Sequence, residues 1–245
     1  MKTKVKVRGL SKSFEGRVVL DELDLDVLEK ESLVILGKSG TGKSVLIRNI
    51  STLMVPDRGS VEIDGEEVTA LRESKRFLLM DRFGFLFQNG ALFDSMNVWE
   101  NIAFKLLFGR RMPRREARMV ALEKLAIVNL DERVAELYPS ELSGGMQKRV
   151  ALARAIACDP EIIFFDEPTT GLDPVTANKI NHLILRTIEL TGATAITITH
   201  DIHSAELIAT RIVLLDEGKI RWEGDRHSLR ESASPLMDNF INGTE

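Results

Sequence analysis

The chain has 245 residues, enough for one large domain or a domain with a smaller lobe, and its 44% hydrophobic content allows a sizeable buried core. A net charge of −4 argues against a general nucleic-acid binder, which carries a basic balance. The single cysteine, Cys158, excludes an intrachain disulfide framework and fits a reducing compartment. No span approaches the roughly 20 apolar residues that a membrane helix needs. Met1-Lys2-Thr3-Lys4 does not lead into the apolar stretch of a secretory signal, so a soluble, cytoplasmic protein is expected.

Val5 and Val7 alternate with Lys4, Lys6 and Arg8, and Leu23, Leu25 and Val27 alternate with Asp24 and Asp26. That period of two predicts strands with one buried face, turned at Glu15-Gly16. Ser32 to Leu36 is a denser apolar run, as in a central strand buried on both faces. After it, Val45, Leu46, Ile50, Leu53 and Met54 predict a helix from Lys43 that Pro56 stops. Ser60 to Gly65 reads as a strand entering a turn. From about 89 to 157 the pattern is helical and carries Arg110, Arg111, Arg114, Arg115 and Arg118, a run whose ordinary reading is a solvated helical face. Strand character returns at Ile162 to Asp166, Ala193 to Thr199 and Arg211 to Leu215, with a helix through Ile180, Leu183, Ile184 and Ile188 between the first two. Leu236, Met237, Phe240 and Ile241 read as a packing stripe. Strands alternating with helices predict an α/β domain with a mainly parallel sheet, an antiparallel β part at its N-terminus and an inserted helical lobe.

Gly37-Lys38-Ser39-Gly40-Thr41-Gly42-Lys43-Ser44 fits the pattern Gly-x-x-x-x-Gly-Lys-Ser/Thr and lies between a buried strand and a helix. Glycines let backbone N–H groups close on phosphate oxygens, and the helix start adds partial positive charge. Lys43 is placed to reach the β and γ phosphates, and Ser44 to offer its hydroxyl to Mg²⁺. Ile162 to Glu167 is a buried strand ending in two carboxylates. An isolated Asp-Glu pair would be two solvated acids; after a phosphate loop, Asp166 is expected to assist Mg²⁺ and Glu167 to polarise the attacking water. His200 stands at the end of another strand, where it can contact a γ-phosphate. Gly37, Asp166 and His200 each follow a strand, and ligands in doubly wound sheets gather at such ends. His182, His203 and His227 have no such setting.

Ser143-Gly144-Gly145 precedes a helix read from Met146, Val150, Leu152, Ala153 and Ile156. A serine cap and two glycines leave backbone N–H groups open to an anion. A capped helix after a glycine-containing loop is also a common arrangement with no ligand.

Together these motifs resemble the nucleotide-binding subunit of an ATP-binding-cassette transporter, over nearly the whole chain. The phosphate loop, Gln88, Leu142 to Gln147, Asp166-Glu167 and His200 stand in that family's order. The resemblance implies a P-loop NTPase (RecA-like) core at 1–88 and 158–245 and a helical subdomain at 89–157. It implies ATP and Mg²⁺ as ligands, Gln88 as a further metal ligand and sensor, Phe14 as the ring on which adenine stacks, and Thr170 to Asp173 as the D-loop. It also implies a head-to-tail dimer in which the phosphate loop of one copy and Ser143-Gly144-Gly145 of a second copy sandwich one ATP. Lys38 departs from the proline most often seen at its position. Phe87 to Asn101, with Gly90-Ala91-Leu92-Phe93 and Met96-Asn97-Val98, is similar to the same segment of Mla-type phospholipid-transport ATPases. That likeness implies a membrane permease subunit and a lipid-binding domain protein as partners, at the cytoplasmic face of the inner membrane. Some Mla-type ATPases carry a longer C-terminal clasp that the sequence after Gly243 does not match. An importer of amino acids or other small polar solutes would use the same chemistry. A cassette acting on nucleic acid fits less well, because no long coiled coil lies between Gln88 and Leu142.

Overall fold

A computed structural model describes residues 2–231 together with Met237, Asn239 and Phe240. The chain divides into two compact units, Met1–Met80 with Thr194–Glu245, and Asp81–Ala193. The second unit therefore takes in strands and a helix on either side of the 89–157 stretch.

The first unit opens with β1 (Thr3–Phe14) and β2 (Arg17–Leu28), an antiparallel hairpin in which Val7 faces Leu25 and Val5 faces Val27. Its turn residues Glu15 (φ 51) and Gly16 (φ 81) are both left-handed, the conformation whose twist suits a two-residue hairpin. β3 (Ser32–Leu36) is buried along its whole length. Helix α1 (Lys43–Ile50) ends earlier than the apolar spacing predicts, because Thr52 turns left-handed at φ 60 and leaves Leu53 exposed. β4 (Arg58–Ile63) pairs with β1, and the Asp64-Gly65 turn leads into the short β5 (Glu66–Glu67) and then α2 (Glu73–Met80). Val5, Val7, Leu25, Val27, Val61 and Ile63 are buried from these strands, each contributing about 1.5–3 kcal/mol by leaving water.

The second unit begins with β6 (Phe83–Leu86), followed by α3 (Val98–Ile102), a π-turn over Lys105–Gly109, α4 (Arg114–Ile127), α5 (Gly144–Ala155), β7 (Ile162–Asp166) and α6 (Pro174–Thr191). β6 and β7 run parallel, with Leu86 level with Phe165. The Phe83 and Phe164 rings meet edge to face at 5.4 Å between centroids. α5 passes so close to β6 that a Cβ on Gly84 would overlap the Ala155 carbonyl. α3 starts in a capping box, Asn97 with Glu100, and α6 in an Asp173 cap followed by Pro174, which explains why both helices begin where they do. The arginine run begins at the π-turn's end and continues into α4. Arg114 pairs with Glu100, and Arg118 with Glu136, so part of that run is tied to acids of its own unit.

The chain then returns to the first unit through β8 (Thr194–Thr199), α7 (Ile202–Ile208), β9 (Arg211–Asp216), β10 (Lys219–Gly224) and α8 (Ser228–Glu231). The order β10-β9-β3-β8 places β3 between two parallel neighbours, with β10 antiparallel outside β9. That position accounts for the apolar run at 32–36. Near the end, Met237 is buried, whereas Leu236 and Ile241 lie outside the described residues.

Candidate functional site

In the first unit, the register of β3 and β8 sets Leu36 level with Thr199, so Gly37 and His200 leave the sheet at the same end. His200 is exposed there, and the next residue, Asp201, caps α7 by accepting from His203 and Ser204 N–H groups. The loop from Gly37 is closely built. A Cβ on Gly37 would lie 2.6 Å from the Leu215 carbonyl and 2.7 Å from the Thr41 hydroxyl. Gly40 (φ 82) and Gly42 (φ 100) adopt left-handed backbone, which only glycine takes without strain. Gly42 forms the N-cap of α1 against Val19 and Leu20 of β2, and no acid stands in that helix's first turn. Lys43 is buried, and its ammonium donates to the carbonyl oxygens of Gly37 (2.7 Å) and Lys38 (3.0 Å). Thr41 also donates to the Lys38 carbonyl, at 3.0 Å, so the loop is closed on itself around the lysine. Lys38, Ser39 and Gly40 are exposed, and Ser44 is half-buried. Glycine backbone, a helix start and a buried ammonium make a cradle that fits a phosphate chain.

Three residues before Val18 of the hairpin's second strand comes its turn, and Phe14 pairs with Arg17 at the tip. Phe14 is 42% exposed, with the Lys12 ammonium 5.6 Å from its ring centre. Lys12 is itself held by Asp57 at 2.7 Å. This is an open aromatic face on the hairpin against which Gly42 packs.

In the second unit, the β6–β7 register brings Gln88 and Asp166 to the same strand ends. Gln88 is exposed, while Asp166 and Glu167 are half-buried. Glu167 has φ 47, a left-handed conformation unusual for a non-glycine residue and concentrated at functional sites. Its carboxylate accepts a 3.0 Å hydrogen bond from the Thr170 hydroxyl, which fixes its direction. Sequence reasoning places Thr170 only in the D-loop and misses this contact, because a hydroxyl three residues on is an ordinary turn feature.

Ser143 caps α5, its hydroxyl accepting from the Met146 N–H at 3.4 Å. Ser143 and Gly144 are exposed. Gly145 has no room for a side chain, since a Cβ would lie 2.8 Å from Thr176 at the start of α6, and Gly144 backs onto Leu172. The Gln147 amide holds the preceding loop through the Pro139 carbonyl at 2.9 Å. The open start of this 12-residue helix is thus backed by Leu172 and Thr176.

Two cations on α5 escape the sequence reading. Lys148 donates to the Gln88 carbonyl, and Arg154 donates to the carbonyls of Gly90 (2.6 Å) and Ala91 (2.7 Å). Burial pushes the Arg154 guanidinium down to about 10. The available signal is a lysine on the same stripe as Ala151, Leu152 and Ala155, spaced by three, four and seven. Among the described residues no three His, Cys, Asp or Glu side chains form a metal cluster of their own.

Residues 20–170 match the ABC transporter family model. The chain is 38% identical over 98% of its length to the probable ribonucleotide transport ATP-binding protein mkl of Mycobacterium leprae, covering 69% of that protein. It is 36% identical over 98% of its length to the intermembrane phospholipid transport system ATP-binding protein MlaF of Haemophilus influenzae, covering 90% of it, and 36% identical to MlaF of Escherichia coli K12, covering 88%. Among solved structures, the dimeric post-hydrolysis state of the ATP-binding cassette MJ0796 bound to ADP and Pi has a TM-score of 0.83 and 36% identity, over 91% of this chain and 98% of that one. CbiO1 of Clostridium perfringens, part of the transporter complex cbiONQ, has a TM-score of 0.86 and 25% identity, over 98% and 96%. This chain belongs to the ABC transporter family.

Proposed function

We propose that this chain is the ATP-hydrolysing subunit of a membrane transporter of phospholipid or a related lipid, working as a head-to-tail dimer. The lipid assignment is carried by one observation, the 36% identity with the MlaF proteins over 98% of the chain. The likeness of Phe87 to Asn101 to the same segment of Mla-type ATPases supports it. The partners are a second copy of the chain, a membrane permease subunit and a lipid-binding domain protein, with the ATPase peripheral on the cytoplasmic face of the inner membrane.

In this reading adenine stacks on Phe14, and the N–H groups from Gly37 to Ser44 bind the phosphate oxygens. Lys43 exchanges its two carbonyl contacts for phosphate oxygens. Ser44, Gln88 and Asp166 supply hydroxyl, amide and carboxylate oxygens, the hard donors that suit Mg²⁺. Mg²⁺, when bound, neutralises phosphate charge in the transition state. Glu167 takes a proton from water as its oxygen bonds to the γ-phosphorus and the bond to ADP breaks. His200 donates to the γ-phosphate. Ser143, Gly144 and Gly145 of the second copy bind the same γ-phosphate, so ATP favours the closed dimer and hydrolysis releases it. The 89–157 stretch serves as the helical subdomain and the rest as the ATP-binding core.

A second reading, transport of ribonucleotides or another polar solute, is favoured by the 38% identity with mkl. Affinity purification from detergent-solubilised membranes separates the two. Recovery of a permease with a lipid-binding domain protein and bound phospholipid is expected. Recovery of a soluble solute receptor, or hydrolysis stimulated by ribonucleotide and not by lipid, would overturn the lipid reading.

A further inference from the structure

We propose that Lys148 is a positioning residue for ATP hydrolysis, holding the backbone of Gln88 at the strand ends that carry Asp166 and Glu167. The inference rests on the reading of Glu167 as the base and Gln88 as a metal ligand, and adds to it a group that no part of that reading uses.

Lys148 is only 6% exposed, yet α5 offers other helical positions that are more open. A lysine buried on an apolar stripe needs a partner, because an unpaired buried charge is costly. Its partner is a main-chain carbonyl, that of Gln88, and not a carboxylate. Gln88 is the second residue beyond β6, outside the pairs that β6 makes with β7. Asp166 and Glu167 are the negative charges that act on the Lys148 ammonium. Those carboxylates are brought close by the parallel register of β6 and β7. One ammonium therefore lies near both strand ends on which the proposed chemistry depends.

The same helix strengthens the hold. Arg154 takes the carbonyls of Gly90 and Ala91, so two cations of α5 grip the chain at 88 and at 90–91. Gly90 (φ 70) and Ala91 (φ 49) are both left-handed, which bends the segment back onto the helix. α5 also begins with Gly144, next to the Ser143 cap. A displacement of the helix start is thereby passed to Gln88 through Lys148 about one turn along. Lys148 acts on the reaction through the Gln88 backbone that it holds.

The test uses the full chain with ATP and Mg²⁺. K148M, K148Q and K148R are compared with wild type and with E167Q for kcat, KM, binding of a fluorescent ATP analogue and thermal midpoint. K148M and K148Q should lose about tenfold or more in kcat with KM and analogue binding within about twofold, the pattern of a lost transition-state arrangement. K148R, which keeps the charge and a donor, should recover to within about threefold of wild type. Turnover within about twofold of wild type in either neutral variant would overturn the proposal. So would a failure of K148R to recover activity while its thermal midpoint matches wild type. If E167Q keeps full turnover, the reading of the base fails instead, and the two failures are distinguishable. K148Q, which keeps a polar head, answers the question if K148M does not fold.

Discussion

Replacing Gly37 by alanine tests whether the phosphate loop depends on the closeness of its first residue to the sheet. The new Cβ would stand 2.6 Å from the Leu215 carbonyl and 2.7 Å from the Thr41 hydroxyl. Ordinary contact begins near 3.4 Å, so something must yield by most of an ångström on two sides. Leu215 lies in β9 between β3 and β10, and its carbonyl is held by the sheet. The loop is the softer side. Overpacking of this kind costs about 1–3 kcal/mol. If the cost appears as a displaced loop, ATP affinity falls by about 5- to 150-fold, at 1.4 kcal/mol per factor of ten. Titration with a fluorescent ATP analogue measures the affinity, and a thermal scan without nucleotide measures the fold. Gly109→Ala is the control, since a Cβ there meets nothing within 4 Å. Affinity within about twofold of wild type in Gly37→Ala, with the control also unchanged, would refute the argument from the cradle.

Glu167→Gln should keep ATP binding and lose about 10²–10⁴-fold in turnover, read by steady-state phosphate release beside analogue binding. Thr170→Val removes the hydroxyl that orients Glu167 and should lower kcat by about tenfold, as expected for a hydrogen bond to a charged group, with little change in binding. Chelation of Mg²⁺ should abolish hydrolysis, and its return should restore it, measured by the same phosphate release. Arg154→Met removes the donor that holds the Gly90 and Ala91 carbonyls and should lower the thermal midpoint as well as kcat.

Much of this fold is legible because its signals are local. Alternation at Val5 and Val7 and at Leu23 to Val27 reports one buried face, and the uninterrupted run at 32–36 reports a strand with neighbours on both sides. Capping residues at Asp173 and Ser143 likewise act within one turn. The end of α1 is not legible, since the left-handed turn at Thr52 is a conformational choice that threonine does not announce. β10 is hidden by its mixed pattern, half exposed outside β9. At the candidate site, the glycine loop and the paired carboxylates are readable as residue types. The levelling of the loop with His200 and of Gln88 with Asp166 is not, because each comes from register: Leu36 with Thr199, and Leu86 with Phe165. The contact of Lys148 with Gln88 joins residues 60 positions apart, beyond the reach of any local pattern.

Complementation between two inactive variants tests the head-to-tail dimer most directly. Lys43→Ala disables the phosphate loop, and Ser143→Arg disables the helix start; each protein alone should bind or assemble without appreciable hydrolysis. In a mixed dimer, the intact loop of the Ser143→Arg copy faces the intact helix start of the Lys43→Ala copy, giving one complete site. An equimolar mixture should therefore regain about a quarter of wild-type ATPase activity, because about half the dimers are mixed and each holds one of two sites. Activity in the mixture no greater than the sum of the two variants measured separately would contradict the account.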